Sequence, residues 1–69
     1  MKWVAMSDGM VPDGAVKCGY EADGTPLYTA RAYYAGGLHI GKVRPGFEGA
    51  NIPYAGTEVT IKFYEVLCL

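Results

Sequence analysis

Glycine or proline interrupts this 69-residue chain every several residues, and between the interruptions apolar side chains nowhere recur at i, i+3, i+4, i+7 for three turns. A helix long enough to bury one face is thereby excluded. Period two takes its place: Thr57, Val59, Ile61 and Phe63 fall on one face and Glu58, Thr60 and Lys62 on the other, the pattern of a half-buried strand. The alternation continues through residues 64–69 but carries Glu65 onto the apolar face, so a bulge or a change of neighbours is expected there.

The other strands are read from their boundaries. Residues 27–34 lie between Asp23-Gly24 and Gly36-Gly37, two pairs that tolerate the positive φ of tight hairpin turns. Residues 16–20 then lead into the first hairpin and residues 38–43 leave the second. Val11-Pro12-Asp13-Gly14 has proline and glycine where a turn wants them, and it separates Val16 from an N-terminal strand around Trp3. Residues 51–54 form a short extended piece that Pro53 should keep off any central position. Six or seven short strands predict an all-β fold, a small antiparallel sandwich, barrel or prism-like module, in one domain over residues 1–69.

Composition adds one expectation about partners. A domain this short hides only about 60% of its unfolded surface, yet 51% of its residues are apolar. Part of that surface should be covered by another chain, so a homodimer is expected. Six Lys plus Arg stand scattered against seven Asp plus Glu, which argues against a phosphate-tracking surface and hence against nucleic acid. No run approaches the roughly 18 apolar residues of a membrane span. Asp8 comes too early for the apolar stretch of a secretion leader, so the expected compartment is the cytosol, with unconventional export as the alternative. In that setting Cys18 and Cys68 are expected as buried, reduced thiols.

Catalysis finds little support. One histidine, His39, lies in a predicted strand with no nucleophile assigned to it, and Glu21 with Asp23 are near each other only as flanks of a turn. Two cysteines and one histidine at wide spacing do not make a zinc set, and no carboxylate cluster suits calcium, so no metal or other cofactor is expected. A binding constellation is easier to argue. If the strand over residues 27–34 pairs with both neighbours, Lys42 approaches the sheet end that carries Glu21. A carboxylate and an ammonium together suit the vicinal hydroxyls of a sugar, and the six tyrosines could supply a platform for its C–H face. A surface ion pair beside core tyrosines accounts for the same residues.

The run Gly19-Tyr20-Glu21-Ala22-Asp23-Gly24-Thr25-Pro26-Leu27-Tyr28-Thr29-Ala30-Arg31-Ala32 resembles the DM9 repeat, in which a glycine, an aromatic or histidine, an acid and a D-G pair precede a P-L-Y-x-A-R-A strand. Trp3, Val11-Pro12, Gly41-Lys42-Val43, Ile52-Pro53-Tyr54, Gly56 with Glu58, and Tyr64-Glu65-Val66-Leu67 follow in family order. Glu21 departs from the usual aspartate, Cys18 from a common glycine, and Thr57 from a frequent lysine. The resemblance implies an all-β repeat that commonly occurs in tandem about a pseudo-twofold axis, with mannose-binding lectin activity in some members and targeting roles in others. It also implies Glu21 and Lys42 as sugar contacts, with Asp23 as the substitute acid. A single repeat would then regenerate the missing half as a homodimer, with strand exchange as one route to it. The alternative is a structural or oligomerisation module of the same type that no longer binds sugar.

Overall fold

A computed structural model describes all 69 residues, and every regular element in it is a strand. In chain order these are β1 (Lys2–Ser7), β2 (Lys17–Tyr20), β3 (Pro26–Tyr34), β4 (Gly37–Val43), β5 (Ala50–Tyr54), β6 (Thr57–Ile61) and β7 (Phe63–Cys68). The fold is all-β, as the alternation predicted. No helix of the chain is long and apolar enough to cross a membrane.

All seven strands belong to one antiparallel sheet in the order β1-β7-β3-β4-β5-β6, with β2 added to the free part of β3. The nine-residue β3 is the hub. One edge pairs with β4 along seven residue pairs, from Tyr28 opposite Val43 to Tyr34 opposite Gly37. Its other edge is shared: Pro26 to Tyr28 take β2, while Ala30 and Arg31 take β7. A flat sheet would hold β1 and β6 five strand spacings apart, about 24 Å. Yet Val4 and Met6 of β1 pack against the same core as Val59 and Ile61 of β6. The sheet therefore curls over on itself, and one sheet does the work of two layers.

The enclosed core is made of Ala30 and Ala32 from β3, Val43 from β4, Ala50 and Ile52 from β5, and Tyr64, Val66 and Cys68 from β7. Alanines on the hub let its neighbours close in. Among the strand glycines the sharpest approach is at Gly41, which points inward. A Cβ there would run into the Asn51 carbonyl and lie 2.9 Å from the Ile52 Cα. The β4–β5 ladder is correspondingly short, a single pair of Lys42 with Asn51. This explains how β5 sits inside the strand order despite Pro53, against the sequence expectation: the ladder to β4 ends before the residue that has no N–H to give.

Two local details differ from the sequence reading. The change of neighbours comes at Lys62, not at Glu65, because the Lys62 carbonyl leaves the ladder to accept from the Asp8 N–H at 3.2 Å. The interruption resets the alternation. Phe63, Glu65 and Leu67 then face outward while Tyr64, Val66 and Cys68 face the core, so Glu65 does not sit among buried apolar residues. The second hairpin turns on Ala35-Gly36 rather than Gly36-Gly37, with Ala35 at φ 51°. The β5–β6 hairpin repeats the device with Tyr54-Ala55-Gly56, where Ala55 has φ 50°.

Tyr64 closes the core against the loop after β1, and its hydroxyl donates to the Met10 carbonyl at 2.8 Å. Burial pushes this phenol above its ordinary range. With the folded value raised, its contribution is whole below the unfolded value of about 10 and is lost as pH rises through the folded one. Tyr64→Phe is thus expected to cost about 0.5–1.5 kcal/mol at neutral pH through the lost hydrogen bond. The gap from the parent should narrow above about pH 10. Denaturant unfolding of both proteins at pH 7 and pH 11 checks this; a gap that widens with pH refutes it.

Candidate functional site

Beside the single β4–β5 ladder pair lies a cavity of about 360 Å³ on the outer side of the sheet. Ile40, Gly41 and Lys42 line it from β4, Asn51 and Pro53 from β5, Glu58 from β6, and Thr29 and Cys18 from the β3 side. The register sets this grouping. Lys42 is opposite Thr29 on one side and Asn51 on the other, and Asn51 in turn is opposite Thr60. All four side chains therefore share the outer face.

At the centre, Lys42 Nζ lies 2.9 Å from Glu58 Oε2, and both side chains are partly open to solvent. The hydrogen bond to Glu58 is the main reason the lysine holds its proton above the usual range, and the fields of Glu58, Glu21 and Cys18 act in the same direction. Asn51 is oriented by Thr60, whose hydroxyl donates to its Oδ1 at 2.8 Å. That bond leaves the amide NH₂ as a donor. Ile40 and Pro53 supply apolar wall beside these polar heads. A small cavity with one ammonium, one carboxylate, one oriented amide and an apolar wall suits a neutral polyhydroxyl ligand, whose hydroxyls both donate and accept.

Glu21, the acid expected beside Lys42, stands just past β2 at the start of the β2–β3 turn. Its Oε2 accepts from Arg44 Nε at 3.2 Å, so its nearest cation is Arg44. It does not line the cavity, and only its field reaches Lys42. Asp23 lies at the tip of that turn and outside the cavity. The Thr25 N–H donates to Asp23 Oδ1 at 2.9 Å, and this bond holds its carboxyl below the usual range. Its role there is to shape the turn.

The tyrosines do not form the expected platform at this site. Tyr64 is buried in the core, while Tyr34 packs edge-on against Tyr54 and His39 at the hairpin ends, with ring centroids 5.0 and 6.5 Å apart. His39 Nε2 donates to the Tyr34 carbonyl at 3.0 Å, which gives the ring a structural task. Both cysteines are free; Cys68 is buried as expected, but Cys18 is exposed. The β2–β3 register slips between Lys17 and Gly19, and the bulged residue turns outward.

Sequence reasoning missed Glu58. It was placed on the wet face of its strand, but the folding of the β5–β6 hairpin onto Lys42 is not written in local pattern. The signal available for it was its place in the family pattern, Gly56 with Glu58. Against known families, the model of the DM9 repeat matches residues 1–61. No curated protein matches the chain.

Proposed function

Because the chain belongs to the DM9 repeat family, we propose that it is a metal-independent carbohydrate-binding module, mannose-type in preference, acting as a homodimer. The observation that carries this reading is the Lys42–Glu58 pair set in a cavity on the outer face of β4, β5 and β6. Lys42 donates to one hydroxyl of a vicinal diol, Glu58 and Glu21 accept from its neighbours, and Asn51 adds a donor. The sugar's C–H face rests on Ile40 and Pro53. Single-site affinity from so few contacts is weak, and two copies of the site raise it by bivalency.

The test is titration with mannose and with control hexoses, followed by protein chemical shifts. Shifts are expected to concentrate on Thr29, Gly41, Lys42, Asn51 and Glu58, and to saturate with mannose first. Binding should persist unchanged in excess EDTA, since no group of three or more His, Cys, Asp or Glu side chains is placed to hold a metal ion. Loss of binding in chelator, restored by calcium, would refute the metal-independent reading.

A second reading is a DM9-type module that only assembles and binds no sugar. It is favoured by the ion pairs that already engage Lys42 and Glu21. Absence of any shift with every hexose at millimolar concentration selects it.

A further inference from the structure

The accessible surface of the chain, 4207 Å², is what a fully compacted 7.4 kDa protein has, about 4,200 Å² by the usual scaling with mass. Compaction is complete, yet large apolar side chains remain outside. They are not scattered. On the outer face of the hub, Tyr33 stands opposite Leu38, and Arg31 is opposite Ile40 on one side and Glu65 on the other. Phe63 lies one outward position from Glu65 and lines a shallow hollow with Tyr33, Leu38, Arg31 and Glu65. Tyr33 is 76% exposed, Phe63 70%, Ile40 57% and Leu38 44%.

We infer that this outer face of β3, β4 and β7, centred on the Arg31–Glu65 pair, is the surface on which a second copy of the chain docks. The inference rests on the homodimer reading above and names its interface. Area is the first argument. An aromatic side chain offers about 150–250 Å², so Tyr33 and Phe63 with the half-exposed Leu38 leave roughly 300–450 Å² of contiguous apolar surface. That lies within the range of the largest apolar patch on a monomer, about 300–600 Å², a size that is often functional. With its polar rim it approaches the ~800 Å² per partner of a stable complex.

Charge is the second argument, and it selects a copy of the same chain over another protein. The centre of the face holds one cation and one anion side by side, Arg31 Nε and Glu65 Oε1 at 2.8 Å, with the guanidinium stacked 4.1 Å from the Trp3 ring, while Lys62 lies over the Phe63 ring at its border. A twofold axis through the pair sets each Arg31 against the partner's Glu65 and each Glu65 against the partner's Arg31, so the face complements itself. Ile40 borders both the face and the Lys42 cavity. Docking here places the two ligand cavities beside the seam, open on the same assembly.

Sedimentation of the 69-residue chain at high micromolar concentration is expected to give twice the 7.4 kDa chain mass. Tyr33→Lys and Phe63→Lys should each give the single mass, with the circular dichroism of the parent, because both side chains are mostly in solvent. Arg31→Glu alone and Glu65→Arg alone should be monomeric, and an equimolar mixture of the two should recover the doubled mass. An ion pair serving only within one chain predicts no effect of mixing. A parent that stays monomeric overturns the inference together with the homodimer reading. A dimer that survives Tyr33→Lys and Phe63→Lys overturns this face alone. A monomeric parent whose Tyr33 and Phe63 signals move with added mannose assigns the face to sugar instead, and also overturns it. Sugar binding at Lys42 is read separately by the titration.

Discussion

Lys42→Ala is expected to remove measurable mannose binding from a protein that still folds. The two consequences separate because they depend on different environments. In the free protein Lys42 is paired with Glu58 across a partly solvated gap, and such a pair contributes about 0–1 kcal/mol. Against a ligand the same ammonium makes a charge-assisted hydrogen bond worth about 1.5–3 kcal/mol, a factor of roughly 10–150 in affinity. A weak single site does not survive that loss. Glu21→Ala is expected to act less strongly, about tenfold by loss of one such bond, because Glu58 remains beside the lysine. Chemical-shift titration with mannose and thermal unfolding of each variant check both halves. A Lys42→Ala protein that binds mannose as the parent does puts the site elsewhere; one that fails to fold makes the pair a structural ion pair and removes the main support for a sugar site.

Gly41→Ala is expected to be the most damaging single methyl group that can be added to the sheet. The new Cβ would meet backbone on the facing strand, the Asn51 carbonyl and the Ile52 Cα, and neither can swing aside as a side-chain tip could. Overpacking ordinarily costs about 1–3 kcal/mol. Here the collision is with the one ladder pair joining β4 to β5, so at least about 3 kcal/mol is expected, against a total of roughly 3–10 kcal/mol for a chain of this length. Urea unfolding gives the number, and a loss under 1 kcal/mol contradicts the account. The task of Gly41 is to let two strands touch.

The strands were legible because each alternates between turn residues that admit positive φ, and that pattern is local. Harder to read was anything that depends on how the sheet closes. The alternation from Thr57 to Phe63 passes through Lys62 without a mark, so no local rule separates β6 from β7; only the hydrogen bond from Asp8, more than fifty residues away, breaks it. Lys42 lines the cavity, while the carboxylate it touches comes from β6, folded back across β5. Glu21 was placed near the right end of the sheet, and Arg44, two residues beyond Lys42, reached it first. Asp23 fell to the turn because a carboxylate two residues before a free N–H satisfies it locally. Pattern gave the elements, and the pairing of distant strands assembled the cavity from them.

The ladder between β1 and β7 runs from Ser7 opposite Phe63 to Lys2 opposite Cys68, which leaves the first and last residues side by side at one end of the same pair of strands. Tension applied through the two ends therefore bears on the outermost hydrogen bonds alone and then on the next, so β1 peels from β7 like a zipper opened from its tab. The same adjacency makes the molecule nearly a closed ring, in which a short bridge could join the ends and a new opening could be cut at a hairpin tip without redrawing any of the pairings that hold the sheet.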